Sequence, residues 1–371
     1  MNLHRRRALA RTAALGAAAA FPATWSSVAV AQTAAARPRF DPRPGDWRTF
    51  DLTVDIQLPE AFGPTRVWVP LPSVRSAWQE PLDHRFSSNG SARVVADGQQ
   101  GVRMLQVSFD GKVQDPRVQV TSRVRTQSRA PGSAPGREDA STLREALRAT
   151  RLLPTDGIVR ETAQRATRGA RSDEARARAL YDWVVANAWR EPEIRGCGEG
   201  DIRTMLETGN LGGKCADINA LFVGLCRSVG VPARDLYGIR VAPSAFGYQQ
   251  LGSKSEQLTG AQHCRAEVYL QAHGWTAMDP ADVAKVMRQE TPQWIKSVQD
   301  PLIAPVNAGL NGAWEGNWVA YNSAHDVKLP GSRGDARGFL MYPMAEDDEG
   351  WYDPYDAAGF IYRIHAAQVM A

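Results

Sequence analysis

Residues 212–234 read GGKCADINALFVGLCRSVGVPAR and place two cysteines on one predicted helix. Apolar residues recur at helical spacing from Ile218 onward, and Gly230 supplies a stop signal with a proline just beyond it. The pattern therefore predicts a buried helix over Cys215–Val229.

The two cysteines occupy different positions on this helix. Cys226 falls on the apolar stripe, where a thiol acts as a small core residue with a raised pKa. Cys215 falls at the helix start, where unpaired backbone N–H groups and the helix dipole favour an anion. The two glycines before it allow a substrate backbone to approach closely. Because such an environment lowers the pKa of a cysteine, Cys215 is the candidate nucleophile.

A nucleophilic cysteine needs a base, and a third group must orient that base. Residues 262–283, QHCRAEVYLQAHGWTAMDPADV, predict a β-hairpin in which His263 opens the first strand and Asp279 follows the second. A register centred on the turn places Asp279 opposite Ala266, roughly 10 Å along the strand from His263. The two side chains can then meet only through a bend or bulge, and Asp282 remains an alternative orienting acid.

These three motifs, GGKC with GVPAR, HCRAEVYL and GWTAMDP, together resemble the core of the transglutaminase-like superfamily over about residues 140 to 290. The resemblance implies a catalytic helix packed on an antiparallel sheet, as in papain-like folds. It also implies Cys215 as nucleophile, His263 as base and Asp279 as the orienting carboxylate.

Two further residues are candidates for contacts with substrate. The family often carries an aromatic residue two places after the histidine, where this chain has Arg265. Arg265 is interpreted either as a clamp for a substrate carboxylate or as part of a structural salt bridge. The backbone N–H of Cys215 is a natural oxyanion donor, and Asn210 is a candidate for the second donor.

The chain as a whole is predicted to have an α+β fold. Short runs with period-two alternation between Trp47 and Arg129 predict an antiparallel β-sandwich, which the Pro-, Gly- and Ser-rich segment APGSAPGRED separates from a helical region. Two later runs, NWVAYNSAHDVKL and GFLMYPMAE, predict strands that extend the core sheet.

The predicted organisation is an export signal over 1–31, a tether over 32–45, a β-sandwich-like domain over 46–130, a linker over 131–140, a transglutaminase-like catalytic core over 141–290 and a C-terminal extension of the core sheet over 291–371. The aromatic residues Trp351, Tyr352 and Tyr355 are expected either to pack in the core or to line a substrate groove.

The first 31 residues have the layout of a bacterial export signal, with Arg6 and Arg7 in a twin-arginine arrangement and a small-residue cleavage site at 29–31. Their apolar run is too short to span a bilayer, which disfavours a membrane anchor and stable membrane insertion. We therefore expect a periplasmic or secreted protein. The leader holds four arginines against a whole-chain charge of +4, so the mature chain is near neutral and nothing drives it toward nucleic acid.

No metal or cofactor is predicted. The four cysteines (Cys197, Cys215, Cys226 and Cys264) match no paired Cys-x-x-Cys zinc site. A structural zinc held by His263, Cys264 and other cysteines is the less favoured alternative.

The sequence thus predicts an exported, thiol-dependent acyl-transfer enzyme that acts on peptide or carboxamide bonds of a peptide or protein substrate in the cell envelope. Water would resolve its thioester in a peptidase or amidase, and an amine would resolve it in a transglutaminase. The rival hypotheses are a catalytically idle envelope protein that docks peptide or glycan on the same fold, and a disulfide-exchange protein.

Overall fold

The computed structural model describes residues 39–96, 102–130, 132 and 137–370, and the predicted export signal lies outside them. The strands are β1 (Arg48–Gln57), β2 (Thr65–Pro70), β3 (Gln79–Ser88), β4 (Ser91–Ala96), β5 (Arg103–Phe109), β6 (Arg117–Thr126), β7 (Trp189–Arg190), β8 (Gly212–Gly213), β9 (Ala233–Arg240), β10 (Gln262–Leu270), β11 (Gly274–Met278), β12 (Asn311–Gly312), β13 (Trp318–Asn322), β14 (Met344–Glu346) and β15 (Ile361–Val369). The helices are α1 (Ala140–Glu145), α2 (Gly157–Ala166), α3 (Asp173–Asn187), α4 (Ile202–Thr208), α5 (Cys215–Ser228), α6 (Pro280–Gln289) and α7 (Ala304–Gly309), with a short 3-10 helix at Gln249–Leu251. In this part of the chain, every helix is too short or too polar to cross a membrane.

Strands β1–β6 form two antiparallel sheets, and each sheet also contains one C-terminal strand. One has the strand order β15-β1-β6-β3 and the other has the order β14-β2-β5-β4. Alternate residues of β1, among them Phe50, Leu52 and Val54, are buried in a core that also contains Leu105 and Val107 of β5. Period-two placement of these apolar residues thus puts one face of β1 against the second sheet. The predicted α+β class with N-terminal antiparallel sheets is confirmed.

A second sheet system carries the helical half of the molecule. Its strand order is β12-β11-β10-β9-β13, with antiparallel pairing throughout. Helix α5 packs on β9 and β10, and α2, α3 and α6 surround it. Every residue of α5 is buried, so its side chains fill the space between the sheet and the outer helices.

The ends of two helices follow the sequence signals. Helix α5 ends at Ser228, and Gly230 adopts the left-handed conformation with φ of 83°. Helix α3 begins after Ser172, whose hydroxyl accepts a hydrogen bond from the Ala175 N–H at 3.1 Å.

The C-terminal segment departs from its predicted role. Of its strands, β13 pairs with β9 and extends the central sheet, as predicted. By contrast, β14 pairs with β2 and β15 pairs with β1 along its whole length, so the prediction that residues 291–371 extend only the core sheet is wrong. Pairing with β15 covers an edge of β1 that would otherwise leave its backbone groups without partners.

Part of the predicted tether packs against the folded chain. Phe40 is buried, and its ring centroid lies 5.1 Å from that of Phe246 and 6.1 Å from that of Tyr248. An aromatic anchor therefore fixes the chain several residues before β1 begins.

Candidate active site

The start of α5 holds Cys215 in a fixed position. Asp217 accepts a hydrogen bond from the Lys214 N–H at 2.9 Å, which satisfies one free donor of the helix terminus. Its carboxylate also accepts the N–H groups of Glu199 and Gly200, each at 2.9 Å. Asp217 therefore ties the segment after Cys197 to the first turn of α5.

This junction requires glycine at residue 198. Gly198 has a φ of 90°, and a Cβ there would lie 1.8 Å from the Asp217 carboxylate. A larger residue would push the segment away from the helix start. The close approach also lets the Ala216 N–H donate to the Cys197 carbonyl at 2.9 Å, which brings Cys197 next to Cys215.

The hairpin brings His263 and Asp279 together. The Nε2 atom of His263 lies 2.7 Å from Oδ2 of Asp279 and 3.4 Å from Oδ2 of Asp282. The hairpin register pairs Leu270 with Gly274 and Ala266 with Met278. The predicted register placed Asp279 opposite Ala266, so the observed pairing brings Asp279 one residue nearer to His263 along the strand. Asp279 then leaves the strand as the N-cap of α6, and this turn closes the remaining distance to His263.

Asn219 connects this pair to α5. It lies one turn beyond Cys215 on α5, and its Nδ2 donates to Oδ1 of Asp279 at 3.2 Å and to the Cys264 carbonyl at 2.9 Å. Sequence reasoning missed Asn219, although a polar residue four positions after the nucleophile on an otherwise apolar face is a detectable signal.

The charges of the site favour a thiolate and an imidazolium. Hydrogen bonds from the thiols of Cys197 and Cys264, and then from His263, hold the pKa of the Cys215 thiol well below its ordinary value despite burial. Burial and Arg240 oppose a charged His263, but the carboxylates of Asp282 and Asp279 outweigh them and raise its pKa to about 9. Between these two pKa values the residues form an ion pair, which is the reactive state of a cysteine nucleophile.

Guanidinium groups balance the two buried carboxylates. Arg240 Nη2 lies 2.5 Å from Asp282, and this contact holds the pKa of the Asp282 carboxyl well below its usual range against the effect of burial. The ligand atoms of His263, Asp279 and Asp282 lie within 4.8 Å of one another, a spacing that could suit a metal ion. Because Arg240 and Arg265 already face these carboxylates, the charge of the cluster is compensated by the chain itself.

Arg265 belongs to this buried network. Its Nη1 donates to the Glu315 carbonyl at 2.9 Å, and its Nε lies 3.7 Å from Asp279. The guanidinium stacks between Trp314 and Trp318, at 5.2 and 4.9 Å from their ring centroids. Arg265 has 2% of its surface exposed and forms part of a structural salt bridge, which was one of its two interpretations. The other interpretation, a clamp for a substrate carboxylate, is wrong because the guanidinium does not reach the cleft.

Asn210 lies away from the nucleophile. It is exposed, and its side-chain oxygen accepts the Gly212 N–H at 3.2 Å within its own loop. The prediction of Asn210 as an oxyanion donor is therefore wrong, because its side chain stabilises the turn that precedes the helix.

Cys215 and His263 open onto a cleft of about 330 Å³. Three residues that no sequence motif places there also line it: Cys197, Gln262 and Tyr342. The Tyr342 hydroxyl donates to Cys197 Sγ at 3.0 Å. In the sequence, the only indication that these residues lie together is that all four cysteines fall between residues 197 and 264.

The remaining predicted residues divide between cleft and core. Tyr355 lines the cleft, whereas Trp351 packs on Trp68 with ring centroids 5.7 Å apart and Tyr352 donates to Asp347 at 2.8 Å. Cys226 is fully buried, and burial raises the pKa of its thiol.

Comparisons with known proteins identify the family of this chain. A family model described as the transglutaminase-like superfamily matches residues 160–280, a range that includes Cys215, His263 and Asp279. An uncharacterized protein of Haemophilus influenzae is 33% identical over 333 residues, which cover 84% of this chain and 89% of that protein.

Two solved structures are also similar. The crystal structure of a putative cysteine protease from Cytophaga hutchinsonii aligns with a TM-score of 0.52 at 16% identity, over 87% of this chain and 99% of that one. The periplasmic domain of TgpA from Pseudomonas aeruginosa aligns with a TM-score of 0.34 at 15% identity, over 69% of this chain and 98% of that one. At this level of identity, the similarity to the Cytophaga structure shows the fold alone.

Proposed function

This chain belongs to the transglutaminase-like superfamily, as its motifs predict, and we propose that it is a thiol-dependent acyl-transfer enzyme that acts on peptide or carboxamide bonds. The observation that carries the proposal is the placement of Cys215 and His263 at one cleft, with the buried Asp279 carboxylate 2.7 Å from Nε2 of His263. A fold retained only for docking would have no need of a thiol with a depressed pKa beside a base with a raised one.

The proposed reaction has two stages. The thiolate of Cys215 attacks the carbonyl carbon, the C–N bond breaks, and the His263 imidazolium gives its proton to the leaving amine. Water or a second amine then attacks the thioester, His263 takes the proton of that nucleophile, and the thiolate leaves. Asp279 holds Nε2 of His263, so Nδ1 is the ring nitrogen left to exchange the proton.

Two donors are available for the oxyanion of this reaction. The Cys215 N–H has no acceptor among the described residues, as expected for a group that awaits a substrate oxygen. Gln262 lines the same cleft, and its buried Nε2 is also without an acceptor in the described part of the chain. The Gly260 N–H donates to Oε1 of Gln262 at 3.0 Å, which fixes the amide with its NH₂ unused. We assign Gln262 as the second oxyanion donor.

The decisive experiment is acyl-enzyme trapping. The purified protein is incubated with a bacterial envelope extract, and the reaction is quenched with acid. The protein is then digested, and the mass of the peptide that contains Cys215 is measured by mass spectrometry. We expect an acyl adduct on Cys215 in the wild type and in Cys226→Ala, and none in Cys215→Ala. Formation of the adduct in His263→Ala at the wild-type rate, or its absence from the wild type while Cys215 reacts with iodoacetamide at the rate of an ordinary thiol, would contradict the proposal.

The fate of the thioester is read in a second assay. A fluorescent primary amine is added to the same incubation, and its incorporation into protein is compared with release of free acid. Incorporation indicates a transglutaminase, and release of acid indicates a peptidase or amidase.

We further propose that the enzyme acts outside the cytoplasm. The support is the leader over residues 1–31, with its paired arginines and its small-residue site. N-terminal sequencing of the protein from cell fractions should find a chain that begins near Gln32 in the periplasm or medium. Replacement of Arg6 and Arg7 by lysine should retain the precursor in the cytoplasm. Unaltered export of that variant would contradict the twin-arginine assignment.

A further inference from the structure

Three cationic side chains converge on the cleft of Cys215. Arg190 comes from β7, Lys214 is the N-cap of α5 and Lys285 comes from α6, and all three are half-buried and line the cleft. They reach it from three separate elements, so the fold assembles the cluster and no run of basic residues in the sequence announces it.

These cations lack the acidic partners that two other buried cations of this chain have. Arg129 is paired with Glu267, and Arg240 is paired with Asp282. By contrast, Arg190 donates to the amide oxygen of Gln289 at 3.2 Å, and Lys285 donates to the carbonyl of Gln250 at 2.9 Å.

No carboxylate balances the cluster at close range, and the anion that acts on Lys214 and Lys285 from within the cleft is the Cys215 thiolate itself. Among the described residues, no carboxylate lies within 4.0 Å of Arg190, Lys214 or Lys285, and no aspartate or glutamate lines the cleft. Glu193 acts on Lys214 only from a greater distance, and the carboxylate of Asp282 near Lys285 is occupied by Arg240.

The cations also act on one another. Burial, and then the charge of Arg190, lower the pKa of Lys214. Burial and the guanidinium groups of Arg240 and Arg190 lower the pKa of Lys285 to about 7, although Asp282 opposes them. Like charges held together in a partly dry cleft cost free energy that a bound anion would recover.

We infer that the substrate of this enzyme carries a carboxylate close to the carbonyl that Cys215 attacks, and that Arg190, Lys214 and Lys285 bind that carboxylate. The inference rests on the proposed acyl-transfer function and names its substrate class. The rings of Tyr342, Tyr355 and Tyr362 complete the wall of the cleft and would contact the carbon chain between the two groups. The same positive charge disfavours a protonated amine as acyl acceptor, which makes water the expected one.

The first test uses two small alkylating agents of nearly equal size on the full chain. Iodoacetate is an anion and iodoacetamide is neutral, and both attack the same thiolate, so the ratio of their rate constants at Cys215 is independent of the thiol pKa. At pH 6, below the pKa of Lys285, we expect iodoacetate to react at least as fast as iodoacetamide. Lys285→Gln and Arg190→Gln should each lower the ratio by roughly threefold to tenfold, because each removes a unit charge near the sulfur.

A matched variant controls for net charge. Lys112 is exposed on the loop that follows β5, and Lys112→Gln should leave the ratio unchanged. If the ratio is the same in the wild type and in both cleft variants while Cys215 still reacts readily, the inference on substrate charge is overturned and the proposed function stands. If Cys215 reacts with neither reagent, the proposed function fails and this inference fails with it.

The second test measures turnover. The p-nitrophenyl monoester of glutaric acid carries a free carboxylate, and p-nitrophenyl butyrate is a shorter neutral counterpart. Lys285→Gln should raise KM for the glutarate ester about tenfold more than for the butyrate ester. An equal change in KM for both esters would overturn the inference even if the variant were partly misfolded, because misfolding affects both substrates alike.

Discussion

Neighbouring side chains of the site push the pKa values of Cys215 and His263 apart. Thiols of Cys197 and Cys264 and the His263 ring stabilise the Cys215 thiolate, while Asp282 and Asp279 stabilise the imidazolium. Groups on four separate segments of the chain therefore stabilise the ion pair. The sequence motifs indicate Cys215, His263 and Asp279, but they do not indicate the contributions of Cys197 and Cys264.

This separation of pKa values predicts a specific pH profile. Turnover requires the Cys215 thiolate and a protonated His263, so kcat/KM should hold through the neutral range and fall as the pH rises through about 9, where His263 loses its proton. Alkylation by iodoacetamide requires only the thiolate and should not fall at that pH. An alkaline limb at the pKa of an ordinary histidine, near 6.5, would show that the carboxylates do not act as described.

The oxyanion site provides a second prediction at the residue scale. Gln262→Ala should lower kcat by roughly 10²–10³-fold with little change in KM, because the lost amide acts on the charge that develops in the transition state. Asn210→Ala is the control, since that side chain bonds within its own exposed loop, and it should leave kcat unaltered. Equal effects of the two substitutions would reject the assignment of Gln262.

At the scale of elements, the start of α5 depends on one carboxylate. Asp217→Ala removes the acceptor for three backbone N–H groups, those of Lys214, Glu199 and Gly200. We expect a loss of about 2–3 kcal/mol in the free energy of unfolding, measured as a lower urea midpoint at an unchanged slope. Cys215 should also become less reactive toward iodoacetamide, because the Cys197 segment loses its attachment.

The control for this substitution is an aspartate at the start of another helix. Asp139 precedes α1, is exposed and makes no capping hydrogen bond through its side chain, so Asp139→Ala should shift the urea midpoint little. A comparable loss in both variants would mean that Asp217 contributes no more than a surface aspartate.

Elements with a clear period or cap could be predicted from the sequence, and elements without one could not. Helix α5 and the Ser172 cap of α3 follow their signals to within a residue. Strand β3 has largely exposed, polar residues over most of its length and shows no alternation, so no pattern marked it. The hairpin was recognised, but its register differed by one residue because the turn type sets the register and cannot be read from the strands.

At the scale of the whole molecule, the active site is built from segments far apart in sequence. Residues 190, 215 and 262 meet residues 342 and 355 at one cleft, because the chain leaves the central sheet after β13 and returns to the N-terminal sheets through β14 and β15. Sequence patterns report local periodicity, so this return path and the cationic lining of the cleft were not predictable from them.

The return path also predicts how the C-terminus stabilises the molecule. A chain that ends at Gly359 lacks β15, which leaves one edge of β1 without backbone partners and removes the buried side chain of Ile364 and the cleft residue Tyr362. We expect a loss of roughly 3 kcal/mol or more, a Tm lower by several degrees and a tendency to associate through the free edge, measured by calorimetry and size-exclusion chromatography. A chain that ends at Val369 keeps the whole strand and should match the full chain, since Met370 is 86% exposed. If both truncations melted at the temperature of the full chain, pairing with β15 would contribute little to stability, and the C-terminal strand would serve the cleft alone.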